Sequence, residues 1–139
     1  MKTLVLVCFT AILILAAGCD GMVKGKGAAE AAAGEFHRQF NEGKFTEIHA
    51  AAHAKFKAVG SEKKFVELSE AVSRKLGKVT ATKTVKWNVR SLNLVTTVVM
   101  QQQTTFEHGT GLETFSFQMD GAKAVLLGYN INSNELILK

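Results

Sequence analysis

Two histidines at metal-ligand spacing are the first residues in this chain that could do chemistry. His49 and His53 are four positions apart in the segment KFTEIHAAAHAKFKAV, and that spacing places both imidazoles on one face of a helix. Zinc takes three or four ligands in tetrahedral geometry, and Glu47 and His37 are the nearby residues that could join. The chain has no HExxH motif. Two ligands do not define a site, so we expect no metal and no cofactor.

Acid–base chemistry would depend on one carboxylate, Glu113. A general acid or base must reach its substrate and have a pKa shifted by burial. Glu113 alternates with Phe115 and Phe117, whose side chains we expect to point inward, so it faces either that side or solvent. A hydrolytic Ser-His-Asp set would need an aspartate near a histidine. Outside the first segment the chain has only Asp20 and Asp120, and Asp120 belongs to a turn. We therefore expect a protein that is not an enzyme, with catalysis through Glu113 as the alternative.

Four aromatic residues are the candidates for lining a ligand pocket: Trp87, Phe115, Phe117 and Tyr129. They fall on the apolar faces of predicted strands. The alternative for Trp87 and Tyr129 is a place in the core or at its rim, with the polar tip of the ring in water. Three successive glutamines at 101–103 present either an exposed strand or a polar edge for a partner.

Three helices precede the strands that would position these residues. Apolar side chains recur at helical spacing in residues 28–42, 45–59 and 62–76, which predicts three amphipathic helices. Gly43 ends the first helix in the manner of a left-handed C-cap, and Gly60 and Gly77 end the second and the third. Ser61 is a predicted N-cap for the third helix, because its hydroxyl can accept from the first free backbone N–H groups.

Four strands follow, because the period of the pattern then changes from 3.6 to 2. Residues 78–90, 94–106, 112–119 and 122–132 are the predicted strands. In the first of them the odd positions, from Val79 to Val89, form the predicted apolar face. Asp120-Gly121 is a strong hairpin signal, and the tail after residue 133 is either a short edge strand or a ragged end. The order of elements predicts an α+β domain in which three N-terminal helices pack on one face of a four-stranded antiparallel sheet.

The N-terminus has the pattern of a secretory signal peptide. Lys2 precedes an uncharged apolar run over residues 4–17, which is shorter than the about 20 residues that span a bilayer. The residues Ala16-Ala17-Gly18-Cys19 resemble the lipobox of bacterial lipoproteins. That resemblance implies cleavage between Gly18 and Cys19, acylation of Cys19 (palmitate is a common acyl chain) and anchoring in a membrane facing the periplasm or exterior. Asp20 favours the inner membrane, and plain secretion with a free Cys19 is the alternative.

These features divide the chain into a signal peptide (1–18), a lipidated Cys with a flexible tether (19–27) and one domain (28–139). The chain has two cysteines, Cys8 and Cys19, so removal of one and acylation of the other leave none for a disulfide. Residues 44–90 hold eleven basic and four acidic residues, which suits anionic headgroups or a solvated surface. We expect a lipid bilayer and an envelope protein as possible partners, and no nucleic acid.

The segment TTFEHGTGLETFSFQMDGAKAVLLGYNI, with FNEGKF upstream, resembles a family of small bacterial lipoproteins and periplasmic proteins of unknown function. Their domain is similar to the nuclear-transport-factor-2-like or cystatin-like fold, in which helices and sheet form a cone. The shared pieces include Phe106, Glu113-Thr114-Phe115, Asp120-Gly121 and Gly128-Tyr129. The resemblance implies a fold and no catalytic residue. We therefore expect a non-enzymatic binding module of the cell envelope, with an enzyme or ligand carrier of the same cone fold as the alternative.

Overall fold

The structure is a computed structural model that describes residues 17–138, with side chains from residue 21 onward. Almost all of the predicted signal peptide therefore lies outside the described residues, and Gly18 and Cys19 are described by their backbone alone. The elements follow one another as α1 (Ala17–Asn41), α2 (Phe45–Ala51), α3 (Ala54–Val59), α4 (Glu62–Leu76), β1 (Val79–Leu92), β2 (Val95–Phe106), β3 (Gly109–Asp120), β4 (Lys123–Asn132) and α5 (Asn134–Ile137).

The predicted α+β class with a four-stranded antiparallel sheet is confirmed. The strands lie in the order β1-β2-β3-β4, each paired with its neighbour in the sequence. Gly121 in the β3–β4 turn has a φ of 59°, and Gly43 and Gly77 after α1 and α4 have φ of 71° and 77°. These three glycines therefore occupy left-handed conformations, as predicted for Gly43 and for Gly121 of the hairpin. The tail forms the short helix α5 and not an edge strand.

Helix α1 is longer than predicted and includes the residues that we expected to form a flexible tether. Ala17–Asn41 is one continuous helix, so residues 19–27 lie within it. Gly25 is buried against the sheet, where a Cβ would lie 3.4 Å from Val98 Cγ2 and 3.5 Å from Val89 Cγ2. These are ordinary van der Waals distances, so the close packing does not itself require glycine here. Burial of this turn of α1 against the strands outweighs the low helix propensity of glycine.

The predicted second helix is divided into α2 and α3. Ala52 and His53 have extended backbone conformations, and the His53 N–H donates to the carbonyl of Leu126 on β4 at 2.8 Å. This long-range hydrogen bond replaces one within the helix, and the His53 ring then caps α3 by accepting from the N–H of Lys55 at 3.1 Å. Because the axis changes direction here, Val59 is 92% exposed although it falls on the predicted apolar stripe.

Three β-bulges decide which side chains of the sheet face the helices. The registers shift at Thr80 and Val85 in β1 and at Leu127 in β4, and each bulge moves the following residues to the opposite face. The predicted apolar face of β1 is therefore wrong over part of its length, since Thr84 and not Val85 faces α1. The helix-facing core is built around Val98, Met100, Phe115 and Phe117, with Phe36, Phe40, Phe45, Phe65, Val72 and Leu76 from the helices.

Candidate functional site

A buried carboxylate lies at the centre of the helix-facing side of the sheet. Glu113 on β3 is 1% exposed. Its Oε2 is 2.6 Å from His37 Nε2 and accepts from the Thr104 hydroxyl at 2.5 Å, and its Oε1 accepts from the Tyr129 hydroxyl at 2.6 Å. We call Glu113, His37, Thr104 and Tyr129 the Glu113 cluster. A carboxylate surrounded by three donors is the arrangement that makes such a burial tolerable.

Four different elements contribute to the Glu113 cluster. His37 comes from α1, Thr104 from β2, Glu113 from β3 and Tyr129 from β4. The side chain of His37 lies beside Phe115, with the two ring centroids 5.6 Å apart. The cluster therefore ties the first helix to three adjacent strands through one carboxylate, and its polar bonds are shielded from water by the aromatic core.

The electrostatics of the cluster favour a neutral phenol. Burial raises the pKa of Tyr129 well above its usual value of 10.0, and the charge of Glu113 and the hydrogen bond to it raise that pKa further. The phenol therefore stays protonated and keeps donating to the carboxylate. Proton transfer to a substrate would require contact with Glu113 or His37, and both side chains are covered by protein. In this conformation the arrangement is suited to holding the fold together.

An open groove lies beside the Glu113 cluster, between the N-terminal half of α1 and the edge strand β1. Its volume is about 500 Å³, and it is lined by Lys26, Glu30, Thr82, Thr84, Val85, Trp87 and Gln102. We call it the α1–β1 groove. The Trp87 ring forms one wall and is 37% exposed, and the Lys26 ammonium lies 5.9 Å from its centroid. An aromatic wall and several polar groups therefore meet at one open site.

The polar groups of the groove form one chain of hydrogen bonds. The Glu30 carboxylate accepts from Lys26 Nζ at 2.8 Å and from the Thr84 hydroxyl at 2.9 Å. Because the Thr84 proton is used there, its oxygen is free to accept from Gln102 Nε2 at 3.3 Å. The hydrogen bond from Lys26 is the main cause of the lowered pKa of Glu30, to which Thr84 also contributes, so Glu30 is ionised at neutral pH.

This chain leaves one acceptor unused. Gln102 is 5% exposed, and within residues 21–138 its Oε1 is the one buried side-chain nitrogen or oxygen atom without a hydrogen-bond partner. A buried polar atom without a partner loses about 1–3 kcal/mol relative to one that is satisfied. Gln102 lies directly opposite both Thr84 and Glu113 in the sheet, so a fully satisfied carboxylate and an unsatisfied amide are cross-strand neighbours.

The predicted pocket aromatics share a face of the sheet but do not line one pocket. Trp87, Met100, Phe115 and Tyr129 are opposite one another in successive strands and form a row across the sheet. Phe115 and Phe117 are 0% and 1% exposed and stack in the core with centroids 5.7 Å apart. Tyr129 donates to Glu113, and Trp87 alone reaches the groove.

The two histidines at ligand spacing are separated by the break between α2 and α3. His49 is buried with its Nε2 3.0 Å from the Gly60 carbonyl, and its ring lies among Phe56 and Phe65. His53 is the N-cap of α3. Within the described chain no group of three or more histidine, cysteine, aspartate or glutamate side chains is arranged to hold a metal ion.

Between residues 17 and 138, none of the helices combines the length and apolar character needed to cross a membrane. Comparison of the chain with protein-family models, with curated proteins and with solved structures finds no match.

The α1–β1 groove had no clear signal in the sequence. Glu30 and Thr84 are 54 positions apart and Gln102 is 18 further along, so the groove forms only when α1 lies across β1 and β2. The run of three glutamines was a signal for polar function. Its middle member, and not Gln101 or Gln103, is the residue that reaches the groove, because alternation along β2 turns Gln102 toward the helices.

Proposed function

We propose that the protein is a lipid-anchored protein of the bacterial cell envelope whose domain binds a small hydroxyl-rich ligand in the α1–β1 groove. The observation that carries the binding proposal is the α1–β1 groove itself, whose wall is the only tryptophan of the chain and whose lining residue Gln102 has a buried Oε1 without a hydrogen-bond partner. The anchor is supported by the N-terminal pattern that ends at Gly18-Cys19. Both functions are non-enzymatic.

The chemistry of the groove supports a ligand with hydroxyl groups on one edge and an apolar face. The Glu30 carboxylate lines the groove and accepts from donors of the ligand, and Gln102 Oε1 is a second acceptor once the ligand turns the amide toward the groove. Lys26 is a donor on a flexible stem and is able to bond a ligand oxygen. The Trp87 ring offers a flat surface for C–H groups. Sugars combine these properties, so we expect a mono- or disaccharide-sized ligand.

The finer architecture that we propose is a cystatin-like or nuclear-transport-factor-2-like cone, with the N-terminal helices covering one face of the sheet. It is supported by contacts of α1 with all four strands and by the packing of α2 on α4. In such a cone the opening between the first helix and the edge of the sheet is the natural entry for a ligand. The α1–β1 groove occupies that position.

The anchor is tested by mass spectrometry of the protein from its natural host. We expect a mature chain that begins at Cys19 and carries acyl chains, with residues 1–18 removed. A Cys19→Ser variant should lose the acyl chains. It should therefore no longer incorporate a labelled fatty acid that is supplied to the growing cells. A natural protein that retains Met1, or that begins elsewhere without fatty acid, would contradict the anchor.

The binding site is tested by tryptophan fluorescence, because Trp87 is the only tryptophan and reports directly on the groove. The protein is titrated with a panel of neutral, acidic and amino mono- and disaccharides. We expect a saturable change with at least one of them, abolished in Gln102→Met. The matched control is Gln103→Met, the next residue, which faces away from the helices. No saturable change with any sugar, or equal loss in both variants, would overturn the proposal.

Catalysis through Glu113 is the second candidate, because a buried carboxylate between a histidine and a tyrosine is a typical proton-transfer set. It requires that small molecules reach the Glu113 cluster. We expect diethylpyrocarbonate to modify the exposed His108 rapidly and His37 slowly, as mapped by mass spectrometry. Equal rates at the two histidines would favour the enzyme over the closed cluster.

A further inference from the structure

The tip of the β1–β2 hairpin combines backbone strain with exposed apolar side chains. Asn93 and Leu94 both have positive φ, of 51° and 64°. Asparagine tolerates this left-handed conformation, whereas leucine rarely adopts it because its Cβ approaches the following carbonyl. The Leu94 side chain is fully exposed, and its neighbours Leu92 and Val95 are 67% and 43% exposed.

The core does not explain why leucine occupies this turn. A fully exposed side chain contributes no burial to folding, and glycine or asparagine would adopt the same turn without strain. Strained residues of this kind cluster at functional positions, where the surrounding hairpin holds them in place. An exposed leucine at a hairpin tip, held in a conformation that leucine rarely adopts, suits contact with an apolar environment outside the folded domain.

Three contacts show that α1 runs antiparallel to β1. Near the start of α1, Gly25 packs against Val89. Farther along, Glu30 accepts from Thr84, and at the end of α1 the side chain of Asn41 bonds the backbone of Val79. As α1 proceeds, its partners move toward the beginning of β1. The N-terminus of α1 and the tip of the β1–β2 hairpin therefore lie at the same end of the domain.

The hairpin tip and Cys19 extend to similar levels beyond the contact of Gly25 with Val89. Leu92 lies three residues farther along β1, which is about 10 Å in a strand. Cys19 lies six residues earlier in α1, which is about 9 Å in a helix. A bilayer that holds acyl chains on Cys19 would therefore be at the height of the hairpin tip.

Other exposed residues at this end have the composition of a membrane-contacting surface. Met22 and Val23, in the first turns of α1, are 48% and 65% exposed. Arg90 on β1 and Lys123 at the start of β4 are exposed cations at the same end, with Asp120 as an acidic neighbour of Lys123. Apolar side chains bind at the boundary between the headgroups and the acyl chains of a bilayer. Cations beside them interact with anionic headgroups.

We propose that the tip of the β1–β2 hairpin, led by Leu92 and Leu94, enters the headgroup and acyl boundary of the bilayer to which the chain is anchored. The inference rests on the proposed acylation of Cys19. The acyl chains alone leave the domain free to rotate, whereas a second contact at the hairpin tip fixes its orientation. In that orientation the α1–β1 groove, whose Lys26 is seven residues after Cys19, opens close to the membrane surface.

The test places an environment-sensitive fluorophore at the hairpin tip of the acylated protein. In the mature chain Cys19 is blocked by its thioether and Cys8 has been removed, so Leu94→Cys introduces the one reactive thiol. The labelled protein is reconstituted in phosphatidylglycerol–phosphatidylethanolamine vesicles. We expect a blue shift, a several-fold rise in emission, and quenching by spin labels placed high on the acyl chains.

The matched control is His108→Cys, in the β2–β3 turn at the opposite end of the domain. Its fluorophore should emit alike in the presence and absence of vesicles. Leu92→Cys provides a second position at the tip if the label at 94 disturbs the turn. Equal spectra at the tip and at 108, or a shift at the tip that occurs without vesicles and increases with protein concentration, would overturn the inference. The latter result would assign the tip to contact between copies of the chain.

The anchor and the hairpin contact fail in different ways. Mass spectrometry of the same preparation shows whether Cys19 carries acyl chains, independently of any fluorescence. Acylated protein whose tip fluorophores are insensitive to vesicles would overturn the hairpin contact and leave the lipoprotein proposal intact. Absence of acyl chains would overturn the lipoprotein proposal, and with it the inference that depends on it.

Discussion

The Glu113 cluster and the α1–β1 groove lie on the same face of the sheet and on adjacent strands. They differ in whether their buried polar groups have hydrogen-bond partners. Both oxygens of Glu113 are used by donors from three other elements. The groove instead ends its hydrogen-bond chain at Gln102, whose Oε1 has no partner. A buried polar cluster in which every group has a hydrogen-bond partner contributes to a unique fold. A polar acceptor that has no partner in the protein is able to accept a hydrogen bond from a ligand.

The largest expected effect is on stability, from removing the carboxylate of the cluster. Glu113→Ala leaves His37, Thr104 and Tyr129 buried without their acceptor, and we expect the free energy of unfolding to fall by about 3–5 kcal/mol. Chemical denaturation monitored by circular dichroism measures it. Glu67→Ala on the exposed face of α4 is the control and should change little. A decrease in the free energy of unfolding of less than about 1 kcal/mol would mean that the hydrogen bonds of the cluster are exposed to water.

Tyr129→Phe should have a smaller effect at neutral pH and remove a dependence on alkaline pH. Loss of the hydroxyl that donates to a charged group costs about 1.5–3 kcal/mol. The folded-state pKa of Tyr129 is raised above its usual value of 10.0. Its contribution to stability is therefore fully present below pH 10 and is lost as the pH rises toward the folded-state value.

The measurement is the unfolding free energy of the wild type and of Tyr129→Phe between pH 8 and the highest pH at which both fold. The wild-type advantage should shrink above pH 10. A constant difference between the two proteins across this range would show that the phenol is not held neutral by the cluster.

Gln102→Met should separate binding from stability. The substitution preserves the length of the side chain and removes both the unsatisfied Oε1 and the hydrogen bond from Nε2 to Thr84. These effects oppose one another, so we expect the unfolding free energy to change by less than about 1 kcal/mol, while sugar binding is lost. A destabilisation comparable with that of Glu113→Ala would mean that Gln102 stabilises the fold, as the Glu113 cluster does, and does not serve ligand binding.

The smallest expected effect on stability belongs to the exposed side of the groove. Glu30→Gln weakens a partly exposed ion pair with Lys26, and such pairs contribute about 0–1 kcal/mol. The pKa of Glu30 is lowered in the folded state, so its contribution is present above its usual value and is lost as the pH falls through the folded-state value. Thermal unfolding from pH 7 to pH 3 should show the two proteins converging in acid. A persistent gap would contradict this.

Part of the site could be predicted from the sequence, and the reason is the period of the strands. Glu113 alternates with Phe115 and Phe117, so its burial was one of two options that the pattern allowed. Its partners were not accessible in this way, because His37 is 76 positions away. Only the packing of α1 on the sheet decides that an imidazole, and not water, meets this carboxylate.

Errors in the predicted elements share a physical origin. The bulges at Val85 and Leu127 leave no clear mark in composition, yet each inverts the faces of the residues that follow. The break at His53 depends on a carbonyl of β4, and the extension of α1 through Gly25 depends on the surface of β1 and β2. In each case a long-range contact outweighed a local preference.

The sequence by itself determined the type and order of the elements, since helical and strand periods, and glycines that tolerate positive φ, are properties of short segments. The tertiary structure decided which buried polar groups have hydrogen-bond partners and which do not. Whether Gln102 and Glu113 find hydrogen-bond donors depends on side chains that come from segments far apart in the sequence. A local sequence pattern does not show which of these segments meet in the fold.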